Sequence, residues 1–462
     1  MIQKMMFAVM LAFGCQTAWG QQFETAAEAV ANMRVGWNLG NTLESNSGDV
    51  NNMWIEAWTD RTPAKYETSW GQPVTKPELI KMFKDAGFNA IRVPVTWYPH
   101  MEATFSSVKW NNSTGALDAW NPTTDDIGTQ IQAAWMQRVH EVVDYVINQG
   151  MYCILNVHHD TGAANTAWLI ASASDYTKQQ ARYEAVWKQI AEEFKDYGDH
   201  LLFEGYNEML DTYDSWCFAS FAAPSNYNAS VATEAYTAIN NYAQSFVNAV
   251  RATGGNNAQR NLIVTTYGAC SGEGTWNSHL QDPLKQMKLP TDQVANHLVF
   301  EVHAYPSLKS GLSTAKNNVT KMMNFLQSNL SSKGAPIIIG EWGTANDIEG
   351  GKDDYDVRKA DKLAFARYFV EQAKAKGFGT FYWMGLSDGE HRSVPEFNQA
   401  DLKDAIIKGY YGDQGYTGIA TPTAGSHQPQ TYYNIAGRQQ QTPGNGINIV
   451  RMGDGSVRKL FK

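Results

Sequence analysis

Leu201-Leu202-Phe203-Glu204-Gly205-Tyr206-Asn207-Glu208 and Pro336-Ile337-Ile338-Ile339-Gly340-Glu341-Trp342-Gly343 share one build. Each is a short apolar run, the length of a buried strand, that breaks off at a carboxylate. A carboxylate directly after a core strand leaves the apolar interior where the next loop begins. Parallel strands of one sheet would bring these two acids together despite their distance along the chain.

Working outward, six more runs have the same texture. They are 34–39, 90–95, 152–157, 261–266, 298–302 and 379–384; with 201–206 and 337–339 the set is eight. Helical stripes fall in most of the intervals. Thr75-x-x-Glu78 with Pro77 in the first turn reads as a capping box before Leu79, Met82 and Phe83, and Gly87 stops that helix. Ile131, Trp135, Val139, Val142, Val143 and Val146 recur at helical spacing. So do Val186, Trp187, Ile190 and Phe194, and then Tyr236, Ile239, Tyr242, Phe246 and Val250. Met322 and Phe325, then Leu363, Tyr368 and Phe369, mark two further helices, and a last one covers 400–408. Alternation of this count predicts an α/β fold, a (β/α)8 TIM barrel, over an open doubly wound sheet. No Gly-rich phosphate fingerprint follows the first strand.

In such a barrel the site lies at the C-terminal ends of the strands. Asn38, Arg92, His158, Asn207, Glu208, His303, Tyr305, Glu341 and Trp383 all fall on that face. Two carboxyl groups that flank one bond, one protonated and one ionised, are what glycoside hydrolysis requires. Glu341 is read as the nucleophile and Glu208 as the acid, then base. Arg92 and Tyr305 suit bonds to Glu341, and His303 suits contact with it or with a sugar. Asn207 suits a sugar 2-hydroxyl, and Trp383 offers a floor for a pyranose ring. His158-His159-Asp160 has metal-ligand residue types, but adjacent side chains at a strand end point apart, so no metal is expected.

Composition fits this chemistry. The chain of 462 residues carries a net charge of −9, which gives no basic face for a nucleic acid. Its 15 Trp, 22 Tyr and 19 Phe are many, and several Trp sit in polar loops, among them Trp54, Trp58, Trp70, Trp97, Trp110 and Trp120. Exposed rings suit a sugar chain with apolar faces; the alternative is that they plug the barrel ends. Residues 1–20 read as a secretory signal, with Lys4, an apolar run from Met5 to Phe13 and Ala18-Trp19-Gly20 before the cut. The run is too short to span a bilayer, so secretion or display at the cell surface is expected without membrane insertion. Cys153 lies in an apolar strand as a buried thiol, while Cys217 and Cys270 lie in loops and are able to pair.

Residues 21–412 therefore read as one catalytic domain. A Gly-, Thr-, Pro- and Gln-rich linker is expected over 413–431, and a short β-type tail over 432–462.

Gly36-Trp37-Asn38-Leu39-Gly40-Asn41-Thr42, Arg92-Val93-Pro94, Asn156-Val157-His158-His159, Tyr206-Asn207-Glu208, His303-Ala304-Tyr305 and Gly340-Glu341-Trp342-Gly343 resemble glycoside hydrolase family 5, in clan A, above all its bacterial endoglucanases. The resemblance covers about residues 25–410, in order, at every strand end but the fifth. It implies Glu208 as acid/base and Glu341 as nucleophile. Arg92, His158, Asn207, His303, Tyr305 and Trp383 would surround the substrate, with His159 beside them, and no cofactor would be used. The expectation is a monomeric, secreted, retaining endo-β-1,4-glucanase cutting cellulose-like β-glucan polysaccharides. Xyloglucan, mixed-linkage glucan and mannan remain as alternative substrates, and a non-catalytic glycan-binding barrel as the rival from another class. The tail, with Ala436-Gly437-Arg438 and a final basic run from Arg458 to Lys462, resembles the sorting signals read by the type IX export machinery.

Overall fold

The structure is a computed structural model. It describes residues 23–49, 52–59, 62–102, 109–111, 116–118, 128–216, 227–272, 280, 282–346, 348, 354–418, 429–434, 439–440, 447–452 and 457–461. The expected signal over 1–20, Cys217, Trp120, the Trp110 side chain, Ala436-Gly437-Arg438 and most of the expected linker lie outside the described residues.

Eight parallel strands close into a barrel: β1 (Val35–Asn38), β2 (Ala90–Val93), β3 (Tyr152–Asn156), β4 (Leu201–Glu204), β5 (Leu262–Thr265), β6 (Leu298–Ala304), β7 (Ile337–Trp342) and β8 (Gly379–Tyr382). Each pairs with its neighbours in chain order, and β8 pairs back onto β1. The described helices of eight or more residues, in chain order, are α1 (Ala26–Met33), α2 (Pro77–Asp85), α3 (Ala133–Ile147), α4 (Ala173–Glu193), α5 (Ala229–Arg251), α6 (Leu312–Asn329), α7 (Lys359–Lys376) and α8 (Ala400–Tyr411). Between β5 and β6 the described residues hold only a 3-10 turn, Tyr267–Ala269, and the four-residue turn of α-helix Pro283–Gln286. That is the one interval in which the expected alternation thins.

Helix α1 was not foreseen. Its start is a true capping box: the Thr25 hydroxyl accepts from the Glu28 N–H, and the Glu28 carboxylate accepts from the Thr25 N–H. Ala26, Ala29, Val30 and Met33 then pack beneath Ala90, Ile154, Leu202, Ile263, Val299, Ile338 and Phe381. The helix thus plugs the N-terminal mouth of the barrel with apolar surface.

The capping box expected at Thr75 does not form. Lys76 is the N-cap of α2, and Thr75 is drawn into another network. Its N–H donates to Glu67 Oε1 at 2.6 Å, and its carbonyl accepts from Arg138 Nη2 at 2.9 Å. Pro77 still opens the helix, where its missing N–H costs nothing. In α7 the buried stripe is Phe365, Ala366, Phe369 and Val370; Leu363 and Tyr368 are half-exposed.

Above the apolar layer the barrel interior turns polar. Arg92 of β2, Glu204 of β4 and Glu301 of β6 point inward and are fully buried. Two glycines make this layering possible. A Cβ on Gly36 would meet Phe381 Cδ1 at 2.2 Å, and one on Gly340 would meet Glu301 Oε1 at 1.6 Å. Gly340 also falls where the β6–β7 pairing slips by one residue. Val302 opposes Ile339, but His303 opposes Glu341. Such a bulge turns the following side chain to a new direction, here Glu341.

The chain divides into two compact units between Gly415 and Tyr416. The second is a four-stranded antiparallel sheet in the order Gln439–Gln440, Pro429–Asn434, Ile447–Met452, Val457–Phe461. Its first strand begins at Pro429, inside the stretch expected to be linker. Asn448 and Val450 are buried in it. No described helix in the chain is long and apolar enough to cross a membrane.

Candidate active site

Glu208 and Glu341 arrive at the same place by different routes. Past β4 the backbone is clamped by hydrogen bonds on both sides. The Gly205 N–H donates to the Ile263 carbonyl at 3.0 Å, and the Asn207 N–H to the Val157 carbonyl at 2.9 Å. From α4, Tyr183 Oη and Trp187 Nε1 both donate to the Gly205 carbonyl, at 2.9 and 3.0 Å. Glu208 is the next residue but two. Glu341 is still in β7, aimed by the bulge, and Trp342 beside it stacks on Phe369 at 4.3 Å between ring centroids. One oxygen of each carboxylate and a ring nitrogen of His303 lie within 4.8 Å of one another.

Arg92 is the hub beneath them. All five of its N–H donors are used. Nε and Nη2 grip Glu204 at 2.6 and 2.7 Å, and Nη1 reaches Asn38 Oδ1 at 3.0 Å and Glu341 Oε1 at 2.7 Å. Nη2 also donates to Asn207 Oδ1 at 2.8 Å. Tyr305 Oη donates to the other Glu341 oxygen at 2.5 Å. Glu341 is thereby held at both oxygens by donors, one of them a full cation. Its side chain is 6 % exposed, while Glu208, bonded to His303 at 2.8 Å, is 18 % exposed. The second acid is the one facing solvent.

His303 stands between the acids. Its Nδ1 is 2.8 Å from Glu208 Oε1 and 3.6 Å from Glu341 Oε2, and its Nε2 is 3.5 Å from Glu301 Oε1. Burial alone would push this imidazole down, but the Glu341 charge, the bond to Glu208 and the Glu301 carboxylate 3.5 Å away outweigh it and raise it to about 10. His158 goes the other way. Burial, with the positive charge of its neighbours, holds it well below the usual histidine range. Asn156 Nδ2 donates to its Nδ1 at 3.0 Å, which leaves the proton on Nε2, 3.8 Å from Glu341 Oε1. Burial lowers His159 to about 4.

His158-His159-Asp160 does not converge on a point. The two rings stand at 85°. Asp160 instead accepts from the N–H groups of Trp97 and Tyr98, at 2.8 and 2.9 Å, and from Trp168 Nε1 at 2.6 Å. It ties the loop after β2 to the loop after β3.

Every residue expected at the site is therefore in one cluster: Arg92, His158, Asn207, Glu208, His303, Tyr305 and Glu341 by direct bonds or close contact, and Trp383 through its ring. The Trp383 ring lies parallel to His158 at 5.7 Å, with an interplanar angle of 2°. Trp70 continues the aromatic row by packing on His159 at 5.4 Å. Trp54 and Trp58 are 41 % and 55 % exposed. Trp97 and Tyr98 correct the reading of loop aromatics as sugar platforms. Both are fully buried, and Trp97 Nε1 donates to the Asn156 carbonyl at 2.9 Å, so they fill space under the loop.

Three residues of the cluster were missed: Glu204, Glu301 and Asn156. Asn156 Nδ2 donates to Glu204 Oε1 at 2.8 Å, and Thr265 Oγ1 to Glu301 Oε2 at 2.9 Å. The signal was present as a carboxylate inside an otherwise apolar strand, in Leu-Leu-Phe-Glu and Val-Phe-Glu-Val. Burial pushes both carboxyls upward; between Arg92, His303 and each other, Glu301 settles below the usual range and Glu204 above it. Elsewhere, Cys270 is disulfide-bonded and Cys153 is a buried free thiol.

The family model described as Cellulase (glycosyl hydrolase family 5) matches residues 54–388. Endoglucanase A of Clostridium longisporum is 30% identical over 410 residues, which cover 84% of this chain and 66% of that protein. Endoglucanase B of Neocallimastix patriciarum is 31% identical over 402 residues, 83% of this chain and 72% of that one. Among solved structures, a GH5-4 broad specificity endoglucanase from an uncultured bacterium is similar with 52% identity and a TM-score of 0.74, over 86% of this chain and 98% of that one. A family 5 enzyme from Prevotella bryantii, solved with a xyloglucan tetradecasaccharide, follows at 36% identity and a TM-score of 0.69, over 85% of this chain and 100% of that one.

Proposed function

The chain belongs to glycosyl hydrolase family 5, and on that premise we propose that it is a secreted, retaining endo-β-1,4-glucanase cutting internal bonds of cellulose-like polysaccharides. The observation that carries the reading is the spacing of the acids, with oxygens of Glu208 and Glu341 within 4.8 Å. Retaining glycosidases set their carboxyls about 5–5.5 Å apart, whereas inverting ones leave room for a water at about 6.5–9.5 Å.

In the first step a Glu341 oxygen bonds to the anomeric carbon, and the bond to the leaving sugar breaks. Glu208 passes its proton to the departing oxygen. Glu341 is now an ester and Glu208 a carboxylate. In the second step Glu208 takes a proton from a water whose oxygen attacks the same carbon, and Glu341 leaves as a carboxylate. Arg92 and Tyr305 hold Glu341 in line for attack and stabilise it again as a leaving group. Arg92 also fixes Asn207 by its carbonyl, which points the amide donors elsewhere, toward a sugar 2-hydroxyl. The parallel His158 and Trp383 rings give the reacting sugar a flat floor, and Trp70, Trp54 and Trp58 offer rings for further units of the chain.

We assign residues 1–20 as the export signal, 21–412 as the catalytic domain, 413–428 as the joint and 429–462, which begins with the strand at Pro429, as a segment read by an export machinery. The catalytic assignment is tested with Glu208→Ala and Glu341→Ala on carboxymethyl-cellulose, xyloglucan, mixed-linkage glucan and mannan. Both variants should lose at least about a thousandfold in rate. Glu208→Ala, unlike Glu341→Ala, should keep cleaving an aryl cellobioside whose leaving group needs no proton. Near-normal polysaccharide turnover by either variant would refute the roles. Binding without turnover by the unaltered protein would favour the glycan-binding alternative.

A further inference from the structure

Glu301 belongs to no step described above, yet three observations tie it to the reacting pair. It is fully buried inside the barrel, and Gly340 exists there without a side chain so that its carboxylate fits. Thr265 Oγ1 lies 2.9 Å from its Oε2 and shares its one proton between that oxygen and the Tyr206 carbonyl at 2.6 Å, while Oε1 faces His303 Nε2, 3.5 Å away. The opposite ring nitrogen of His303 is the one that faces both Glu208 and Glu341.

We propose that Glu301 is a positioning residue that keeps His303 a doubly protonated imidazolium throughout turnover, so that one fixed cation serves each reacting carboxylate in turn. Before reaction the negative charge is on Glu341, 3.6 Å from His303 Nδ1. In the glycosyl-enzyme Glu341 is an ester and the charge is on Glu208, 2.8 Å from the same nitrogen. The charge moves from one acid to the other while the His303 proton stays where it is. Nothing is gained or lost at the imidazole, and protons are exchanged only among Glu208, the leaving oxygen and water.

The other charged or titratable groups around the ring are consistent with this. Arg92, on β2, lies beyond Glu341 and Glu301 and is bonded to the first at 2.7 Å. His158, past β3, is neutral. Glu204 is bound to Arg92 by both oxygens, and the Tyr305 phenol is spent on Glu341. Tyr206 is buried and pushed up, so it adds no charge. The acid that reaches Nε2 from the barrel side is Glu301. Burial alone would drive the proton off His303, but the carboxylates around the ring turn its shift upward.

This inference rests on Glu208 and Glu341 being the reacting pair, and its test separates the two ideas. In 15N-histidine-labelled protein, with the His303 signal assigned by its loss in His303→Gln, both ring nitrogens should stay protonated at pH 8. In Glu301→Gln, which keeps the shape and removes the charge, the His303 midpoint should fall by about two pH units or more. The alkaline limb of kcat/KM should then move up by about one pH unit, because the fixed cation beside the reacting carboxylates is gone. Glu301→Asp, which keeps the charge, should hold both properties near their original values. A neutral His303 in the unaltered protein at pH 8, or an unmoved midpoint in Glu301→Gln, overturns the proposal and leaves the roles of Glu208 and Glu341 standing. Full activity of Glu208→Ala or Glu341→Ala would overturn those roles whatever His303 does.

Discussion

Arg92→Met removes the one guanidinium on which the polar layer of the barrel is built. Its consequences can be apportioned from the bonds. Glu204 receives three donors, two from Arg92 and one from Asn156, and keeps only the last. Glu341 receives two and keeps the one from Tyr305. Glu301 loses a cation at 3.3 Å but keeps Thr265 and His303. The damage therefore concentrates on Glu204, a carboxyl with no exposure to water. Breaking a buried pair from one side costs about 3–5 kcal/mol, chiefly because the remaining charge is stranded. Urea unfolding followed by Trp fluorescence at pH 7.5 should show a loss of that size. Two relief conditions follow from the cause. Adding Glu204→Gln, which removes the stranded charge, should restore about half or more of the loss. Lowering the pH to 5 should also shrink it, since an unpaired buried carboxyl takes up a proton more readily than in the unfolded chain. A loss below about 1 kcal/mol, or a double variant no more stable than Arg92→Met alone, would refute the charge-based account.

Two further outcomes are expected. Glu44 is buried, and burial raises it to about 7 against bonds from the Asn41 and Thr42 N–H groups. Its folded form binds the proton more tightly than its unfolded form, so its contribution is fully present below pH 4.5 and is lost as pH rises through 7; Glu44→Gln should flatten stability across that window in urea titrations at several pH values. Trp383→Ala takes away the flat ring parallel to His158, so KM on cello-oligosaccharides should rise about tenfold while the fold, read by circular dichroism, is unchanged; an unaltered KM would remove Trp383 from the substrate floor.

Much of this site could be read from residues alone, for a physical reason. A barrel strand needs a continuous apolar run, and its C-terminal end is where that run stops. Asn38, His158, Asn207, His303 and Glu341 could be found by asking which polar residue ends each run. The reading failed where polarity was placed inside a run. Glu204 and Glu301 looked like strand interior and are in fact the floor beneath the acids, made affordable by Arg92. Thr75 and Thr25 show the limit of local motifs. Both begin a Thr-x-x-Glu, but Glu67 and Arg138 claim the first, while the second bonds to its own Glu28. Trp97 and Trp54 show the same limit for composition. Both are loop tryptophans, one buried against Asn156 and one 41 % exposed, and only the path of the loop distinguishes them.

The assignment of Glu341 as nucleophile and Glu208 as acid/base predicts one stereochemical result. Proton NMR during the first minutes of cello-oligosaccharide cleavage should show the β-anomer of the new reducing end accumulating ahead of mutarotation. Initial appearance of the α-anomer would mean direct displacement by water, and two acids this close could not then be acting as described.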